Sequence, residues 1–187
     1  MITRILFTLL LLGTVLFAHT ANAQKRDHLT PQEVDLVKEA QALDKRIDVF
    51  VKAADRRLLV ISGSTAPANP KEAKQFKKDS ERWGELPTGT RAELVNDIAR
   101  ILDEAITNID DVSARDERNP LIPKSLRKLA QAVNTIMEQL KPLRAQIKTD
   151  TEIASFESLN EGAQSILEAA TKLPPEVVEK KAKAKNN

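Results

Sequence analysis

The chain has 187 residues, with 29 Lys and Arg against 27 Asp and Glu, and it contains no cysteine. This near balance of charge argues against a general attraction to nucleic acid or to an anionic membrane. The absence of cysteine excludes disulfide bonds and c-type haem attachment. A chain of this length is long enough to form one domain around a hydrophobic core.

Residues 1–23 have the features of a secretory signal peptide: Arg4 near the start, an apolar run and an Ala21-Asn22-Ala23 end. The alternative is a retained membrane anchor, but the run from Ile5 to Phe17 has thirteen residues. A helix that spans a bilayer needs roughly 20. We therefore expect cleavage after Ala23 and export, with membrane contact only through the signal peptide. The absence of an Asn-x-Ser/Thr sequon favours a bacterial periplasm or cell exterior over a eukaryotic setting.

A first helix is predicted from Pro31 to about Ile61. Thr30, Pro31 and Glu33 form a helix start with a capping box, and apolar residues recur behind them at steps of three and four. A break near residues 42–44 would divide this segment, and the sequence leaves its continuity open. Residues 62–89 are predicted as an irregular connection, in which 71–83 could form a short helix.

The stretch from 90 to 113 has the most regular helical pattern in the chain. Its apolar residues lie on one side of a helix and charges fill the other. The apolar positions are Leu94, Val95, Ile98, Ile101, Leu102, Ala105, Ile106, Ile109 and Val112. Two further helices are predicted over 124–147, with Pro142 disturbing its end, and over 151–172. The lysine-rich segment 174–187 offers little to bury, and we expect it to be disordered.

These segments predict an all-α fold, an antiparallel up-down four-helix bundle that occupies residues 24–173 after the cleaved signal peptide. The net charges of residues 85–118, 119–148 and 149–173 are −5, +5 and −4. Alternating charge of this kind favours side-by-side packing of the second, third and fourth helices.

One candidate interaction patch combines basic and aromatic residues, which suit an anionic partner. Its members are Lys74, Lys77, Lys78, Arg82 and Trp83. The alternative, which the sequence favours, is that Phe76 and Trp83 close one end of the core while the lysines are solvated.

A second candidate is acidic and lies on the 90–113 helix: Asp103, Glu104, Asp110 and Asp111. Paired carboxylates can act as acid and base or bind Ca²⁺. A calcium site, however, normally bends several oxygens inward from a loop, and a straight helix does not, so these residues are interpreted as solvated.

Few other chemical groups are available for catalysis or metal binding. After cleavage the only histidine is His28, in an N-terminal arm that we expect to be flexible. The sequence contains no Ser/His/Asp set and no phosphate-binding glycine-rich motif. We therefore predict no catalytic residues, no cofactor and no metal.

The segment 29–58 resembles the opening of uncharacterised, exported, α-helical bacterial proteins. The similar residues are Leu29-Thr30-Pro31, Glu33, Glu39-Ala40-Gln41 and Arg46-Ile47. This resemblance implies export and helical structure and brings no known activity. The sequence leaves two functional hypotheses. One is a non-enzymatic interaction module for an unidentified protein or envelope component, and the other is a carrier of an apolar or lipid ligand. The partner and the oligomeric state stay open.

Overall fold

The computed structural model describes residues 26–175, so the predicted signal peptide and the lysine-rich segment from residue 176 onward lie outside the described residues. The described part forms six α-helices and no strand, which confirms the all-α prediction. The helices are α1 (Pro31–Glu39), α2 (Leu43–Ile61), α3 (Pro70–Trp83), α4 (Arg91–Arg115), α5 (Leu121–Arg144) and α6 (Asp150–Thr171). Within the described residues, none of these helices combines the length and the apolar character needed to cross a bilayer.

The segment 31–61, whose continuity the sequence leaves open, is two helices. Thr30 caps α1 as expected, since its hydroxyl accepts from the Glu33 amide at 3.3 Å and the Glu33 carboxylate accepts from the Thr30 amide at 2.9 Å. At Ala40 the backbone leaves the helical region, with ψ at 87°. Arg46 Nε donates to the Ala40 carbonyl at 3.1 Å and so satisfies an acceptor at this break.

The connection 62–89 contains a regular helix, α3. Its N-cap is Asn69, whose side-chain oxygen accepts from the amides of Lys71 and Glu72. Glu72 in turn accepts from the Ala68 amide at 2.9 Å. These local bonds explain why a segment with so little apolar surface still forms a helix.

The core lies along α4, as the periodicity predicts. Its N-cap is Thr90, which forms a second capping box with Glu93. Of the nine apolar positions predicted on one side of this helix, seven are buried and two, Ile106 and Val112, are partly buried against the core. Burial of these side chains against the other long helices supplies the main stabilising energy of the fold.

The long helices pack around this core with alternating direction along the chain. α2 and α5 run parallel, since Lys124 contacts Asp44 at 2.6 Å and Lys128 contacts Asp48 one turn further along both helices. α4 runs antiparallel to α2. Arg46, near the start of α2, donates to Asn108 in the second half of α4, whereas Arg57, near the end of α2, lies close to Asp97 in the first half of α4.

α6 runs parallel to α4, as Arg91 at the start of α4 donates to Glu152 at the start of α6 at 2.7 Å. α4 packs more extensively against α6 than against α5. The charge pattern favoured α4 beside α5, but exposed ion pairs contribute little energy compared with apolar burial. α6 begins one residue earlier than predicted, at Asp150, and Thr149 is its N-cap.

Candidate functional site

The helix α3 is attached to the rest of the molecule mainly at its C-terminal end. Trp83 is buried and packs in a small apolar cluster with Leu36 and Val49, separate from the main core. One turn earlier, Lys52 Nζ on α2 lies 2.8 Å from Asp79 Oδ2. The residues from 70 to 78 are exposed. The N-terminal half of α3 therefore stands away from α2.

An open apolar cleft lies between α2 and α3, with a volume of about 250 Å³. Leu59 of α2, Phe76 of α3 and Leu86 of the following loop supply its apolar lining. Gly84, which ends α3 with a φ of 69°, contributes to the wall. A left-handed φ of this kind strains residues that have a Cβ, so glycine is favoured at this turn.

A second cleft of about 300 Å³ meets the first at Leu59, Phe76 and Asp79. It continues towards the loop that contains Ala66 and Pro67. Phe76 thus borders both clefts, and it is 38% exposed. We define the α2–α3 cleft as these two connected clefts.

Arg56 connects the α2–α3 cleft to the interior. Its guanidinium lies 5.8 Å from the centre of the Trp83 ring, within the range of a cation–π contact. Its Nη2 donates to the backbone carbonyls of Gly84 and Glu85, which holds the loop in place. Burial acts to lower the pKa of Arg56, and the nearby Glu33 carboxylate opposes that shift.

A buried ionic cluster lies behind Arg56. Glu33 Oε1 lies 2.7 Å from Arg57 Nη1 and 3.2 Å from Arg56 Nε, the second being a charge contact rather than an aligned hydrogen bond. Asp97 of α4 lies 2.7 Å from Arg26 and 3.9 Å from Arg57. Burial raises the pKa of Asp97, although both arginines act to lower it. Since each carboxylate is held by arginine and shielded from solvent, the cluster is suited to structural stabilisation.

The N-terminal arm is docked on this cluster, contrary to the expectation that it is flexible. Arg57 Nη2 donates to the His28 carbonyl at 2.6 Å, and Leu29 is buried. The His28 ring contacts Glu104 at 2.6 Å through Nε2. Arg100 donates to the Arg26 carbonyl at 2.8 Å. The arm is therefore part of the folded structure from Arg26 onward.

The predicted basic patch is divided by the structure. Lys74, Lys77, Lys78 and Arg82 are exposed, and within residues 26–175 none of them forms a salt bridge. Trp83, in contrast, is buried in its apolar cluster with Leu36 and Val49. The alternative, in which Phe76 and Trp83 both close one end of the core, also holds only in part, because Trp83 is buried while Phe76 is exposed. No pattern in the sequence predicts a cleft beside this patch.

The predicted acidic patch does not assemble into a site. Asp103, Asp110 and Asp111 are exposed, whereas Glu104 is partly covered by His28. Within residues 26–175 no group of three or more His, Asp and Glu side chains is placed to hold a metal ion.

Sequence reasoning missed the buried ionic cluster, although a signal for it exists. Arg57 follows Phe50 by seven residues and Ala53 by four, so it falls within the apolar side of α2. Asp97 similarly borders the apolar side of α4 between Leu94 and Ile101. Charged residues at such positions are rarely buried unless they are paired, so a basic and an acidic one together predict a pair.

Comparisons with protein-family models, with curated proteins and with solved structures find no match to this chain. Its function must therefore be argued from its own residues.

Proposed function

We propose that the protein is an exported, non-enzymatic interaction module whose binding surface is the α2–α3 cleft. The observation that carries this proposal is the exposure of Phe76 beside two connected apolar clefts. Concave apolar surfaces with a few polar groups at their edge are typical of binding sites. The rigid attachment at Trp83 and Asp79 presents this surface without requiring the core to open.

The proposed scaffold is a four-helix bundle of α2, α4, α5 and α6. Its support is the shared core and the alternating directions of these helices along the chain. The order around the core is α2, α4, α6, α5, so each helix has one parallel and one antiparallel neighbour. α1 and α3 lie outside this bundle, which makes α3 available for a partner.

The non-enzymatic part of the proposal rests on the state of the titratable groups. Glu33 and Asp97 are engaged by arginines, and His28 is engaged by Glu104. The carboxylates that line the α2–α3 cleft are Glu72, Asp79 and Glu85, and Asp79 is paired with Lys52. A partner protein or envelope component is the expected ligand, and the periplasm or cell exterior the expected location.

Site-specific photo-crosslinking in the native host tests the proposal. A photoreactive amino acid is introduced at Phe76, and the control carries it at Ile153, which is 44% exposed on α6. We expect a discrete adduct from position 76 and none from position 153. Adducts of equal yield at both positions, or none at 76, contradict the proposal. Mass spectrometry of the recovered chain should show Gln24 at its N-terminus, and a chain that begins at Met1 would contradict export.

The second candidate function is a carrier of a small apolar ligand. It is favoured by the apolar lining that Leu59, Phe76 and Leu86 give to the cleft. A fatty acid bound there would change the emission of Trp83, the only tryptophan, and raise the melting temperature. The interaction-module proposal predicts little change in either quantity.

A further inference from the structure

We infer that the outward side of α3 binds the surface of an anionic phospholipid bilayer. This side of the helix lies opposite the α2–α3 cleft. At 3.6 residues per turn, the residues of α3 that line the cleft share one side of the helix: Glu72, Gln75, Phe76, Asp79 and Ser80. The cations of α3 share the other side, which we call the basic face: Lys71, Lys74, Lys77, Lys78 and Arg82.

The basic face has little compensating charge. All five of its cations are exposed, and in the described part of the chain none of them forms a salt bridge with a carboxylate. Of the three carboxylates on α3, Glu72 and Asp79 lie on the cleft side, where Asp79 pairs with Lys52. Glu81 is therefore the one carboxylate of α3 that offsets the five cations.

The spacing of these cations disfavours the helix that carries them. Lys74 follows Lys71 by three residues and precedes Lys78 by four. Arg82 follows Lys78 by four more. Side chains at these spacings are neighbours on a helix, so like charges there repel each other. The helix forms in spite of this repulsion, with the help of its N-cap Asn69. Because the fold itself makes no use of this row of charges, the row indicates a partner outside the chain.

The position and shape of the basic face suit a broad surface. Within residues 26–175 the backbone of α3 approaches that of α1 but not that of α4, α5 or α6. From Lys71 to Arg82 the face extends about 17 Å along the helix axis. It is convex and carries no large apolar side chain, since Phe76 and Trp83 lie on the other side. Stable protein interfaces depend on apolar anchors, whereas attraction to anionic headgroups needs only charge.

The choice of a bilayer over nucleic acid rests on the proposed export, which places the mature chain beside a membrane. The charge of the whole chain is nearly balanced, but it is unevenly distributed. Residues 85–118 and 149–173 have net charges of −5 and −4, in contrast to the basic face. An anionic surface repels those acidic segments and attracts α3, so it favours one orientation of the molecule. The inference thus adds a peripheral contact to the membrane contact expected through the signal peptide.

Cosedimentation of the mature chain with phospholipid vesicles tests the inference. We expect binding to vesicles of phosphatidylglycerol and phosphatidylethanolamine at low ionic strength, and none to vesicles of phosphatidylcholine. Binding should be lost at about 1 M salt, where the screening length is about 3 Å. Absence of binding to the anionic vesicles, or equal binding to the neutral ones, overturns the inference. Tighter binding to duplex DNA at the same phosphate concentration, or to a second copy of the chain, also overturns it.

Matched variants locate the contact. One cation near an anionic surface contributes about fivefold to affinity, so Lys74→Gln combined with Lys78→Gln should weaken vesicle binding about 25-fold. The control combines Lys148→Gln with Lys172→Gln, which are exposed lysines outside α3, and should leave binding nearly unchanged. The α3 pair removes repulsion within a helix, so it should not lower the melting temperature. Equal weakening by the two pairs contradicts the assignment to α3.

The C-terminal segment needs its own control, because residues 180–185 contain four lysines. If their joint replacement by Gln abolishes vesicle binding and the α3 pair does not, the contact belongs to that segment and the inference fails.

Phe76→Ala separates the basic face from the α2–α3 cleft. Phe76 lies on the cleft side of α3, so its truncation should leave vesicle binding unchanged and weaken the contact of a partner in the cleft. If position 76 crosslinks a partner and anionic vesicles do not bind, the inference fails and the proposed function stands. If vesicles bind through α3 and position 76 crosslinks nothing, the proposed binding surface fails and the inference stands.

Discussion

Arg57 Nη1 lies 2.7 Å from Glu33 Oε1, and the two side chains are 1% and 0% exposed. The same guanidinium also donates to the backbone of Ala53 and of His28. One arginine of α2 thereby joins the start of α1 to the N-terminal arm. A buried charge without its partner is strongly destabilising, so the burial of Arg57 and that of Glu33 depend on each other.

Removing one partner of this pair should be strongly destabilising. We expect Glu33→Ala to lower the free energy of unfolding by about 3–5 kcal/mol, since Arg56 and Arg57 would both lose their nearest carboxylate and Arg57 would keep only Asp97 at 3.9 Å. Asp35→Ala, on the same helix but exposed, should cost within about 0.5 kcal/mol. Urea denaturation measures both, and similar losses would show that Glu33 is solvated.

The docked N-terminal arm gives a second prediction. Arg26→Ala would leave the buried Asp97 with Arg57 at 3.9 Å as its nearest partner. We expect a loss of roughly 1–3 kcal/mol in the free energy of unfolding, the usual cost of an unsatisfied buried acceptor. Asp27→Ala, the exposed neighbour, is the control and should have little effect. A negligible loss for Arg26→Ala would mean that the arm is not docked in solution.

The burial of one side of α4 predicts that Ile101 and Asp103, two residues apart, differ in how much their truncation lowers the free energy of unfolding. Ile101→Ala should cost about 2–5 kcal/mol through lost apolar transfer and the cavity left behind. Asp103→Ala, on the exposed side, should cost within about 0.5 kcal/mol. Thermal unfolding of both variants tests the contrast, and equal shifts would indicate that α4 is buried on every side.

The attachment of α3 should depend on pH. Burial acts to raise the pKa of Asp79, but hydrogen bonds from Lys52 and Gln75 outweigh it and hold that pKa below its ordinary value of 3.8. The pKa of Asp79 is lower in the folded protein than in the unfolded chain. The ionised carboxylate therefore stabilises the attachment of α3 at pH values above the unfolded pKa. This contribution is lost as pH falls through the folded pKa.

Emission from Trp83 reports this change, since Trp83 lies one turn from Asp79 at the attached end of α3. We expect an acid transition in the native protein that Asp79→Asn abolishes, with the neutral-pH emission of the variant already shifted. Asp110→Asn alters an exposed carboxylate and should leave the transition in place. A transition that persists in Asp79→Asn would assign it to another group.

The features predicted correctly from the sequence are those that depend on local chemistry. The capping box at Thr30 and the apolar side of α4 follow from residue type and spacing alone. The order of helices around the core cannot be predicted in this way, because it depends on how the apolar surfaces of different helices fit together. The α2–α3 cleft escaped prediction for the same reason, since it exists only where α3 stands away from α2.

The burial of Arg57 and Asp97 shows a second limit of prediction from the sequence. Each lies among apolar neighbours on its own helix, but the partner that makes burial tolerable comes from another helix. Periodicity places each charged residue on the apolar side of its own helix, which indicates that it needs a partner, but it does not identify the residue of another helix that supplies one. The docking of His28 on Glu104 likewise joins residues far apart in the chain.

Methyl NMR of the mature chain, titrated with the partner that crosslinks at position 76, tests the use of the α2–α3 cleft most directly. We predict that the methyl resonances of Leu59 and Leu86 shift on binding. The control is the methyl group of Met137, which lines a separate cleft of about 210 Å³ between α5 and α6 and should not shift. Shifts at Met137 with Leu59 and Leu86 unchanged would place the binding surface elsewhere and contradict the account.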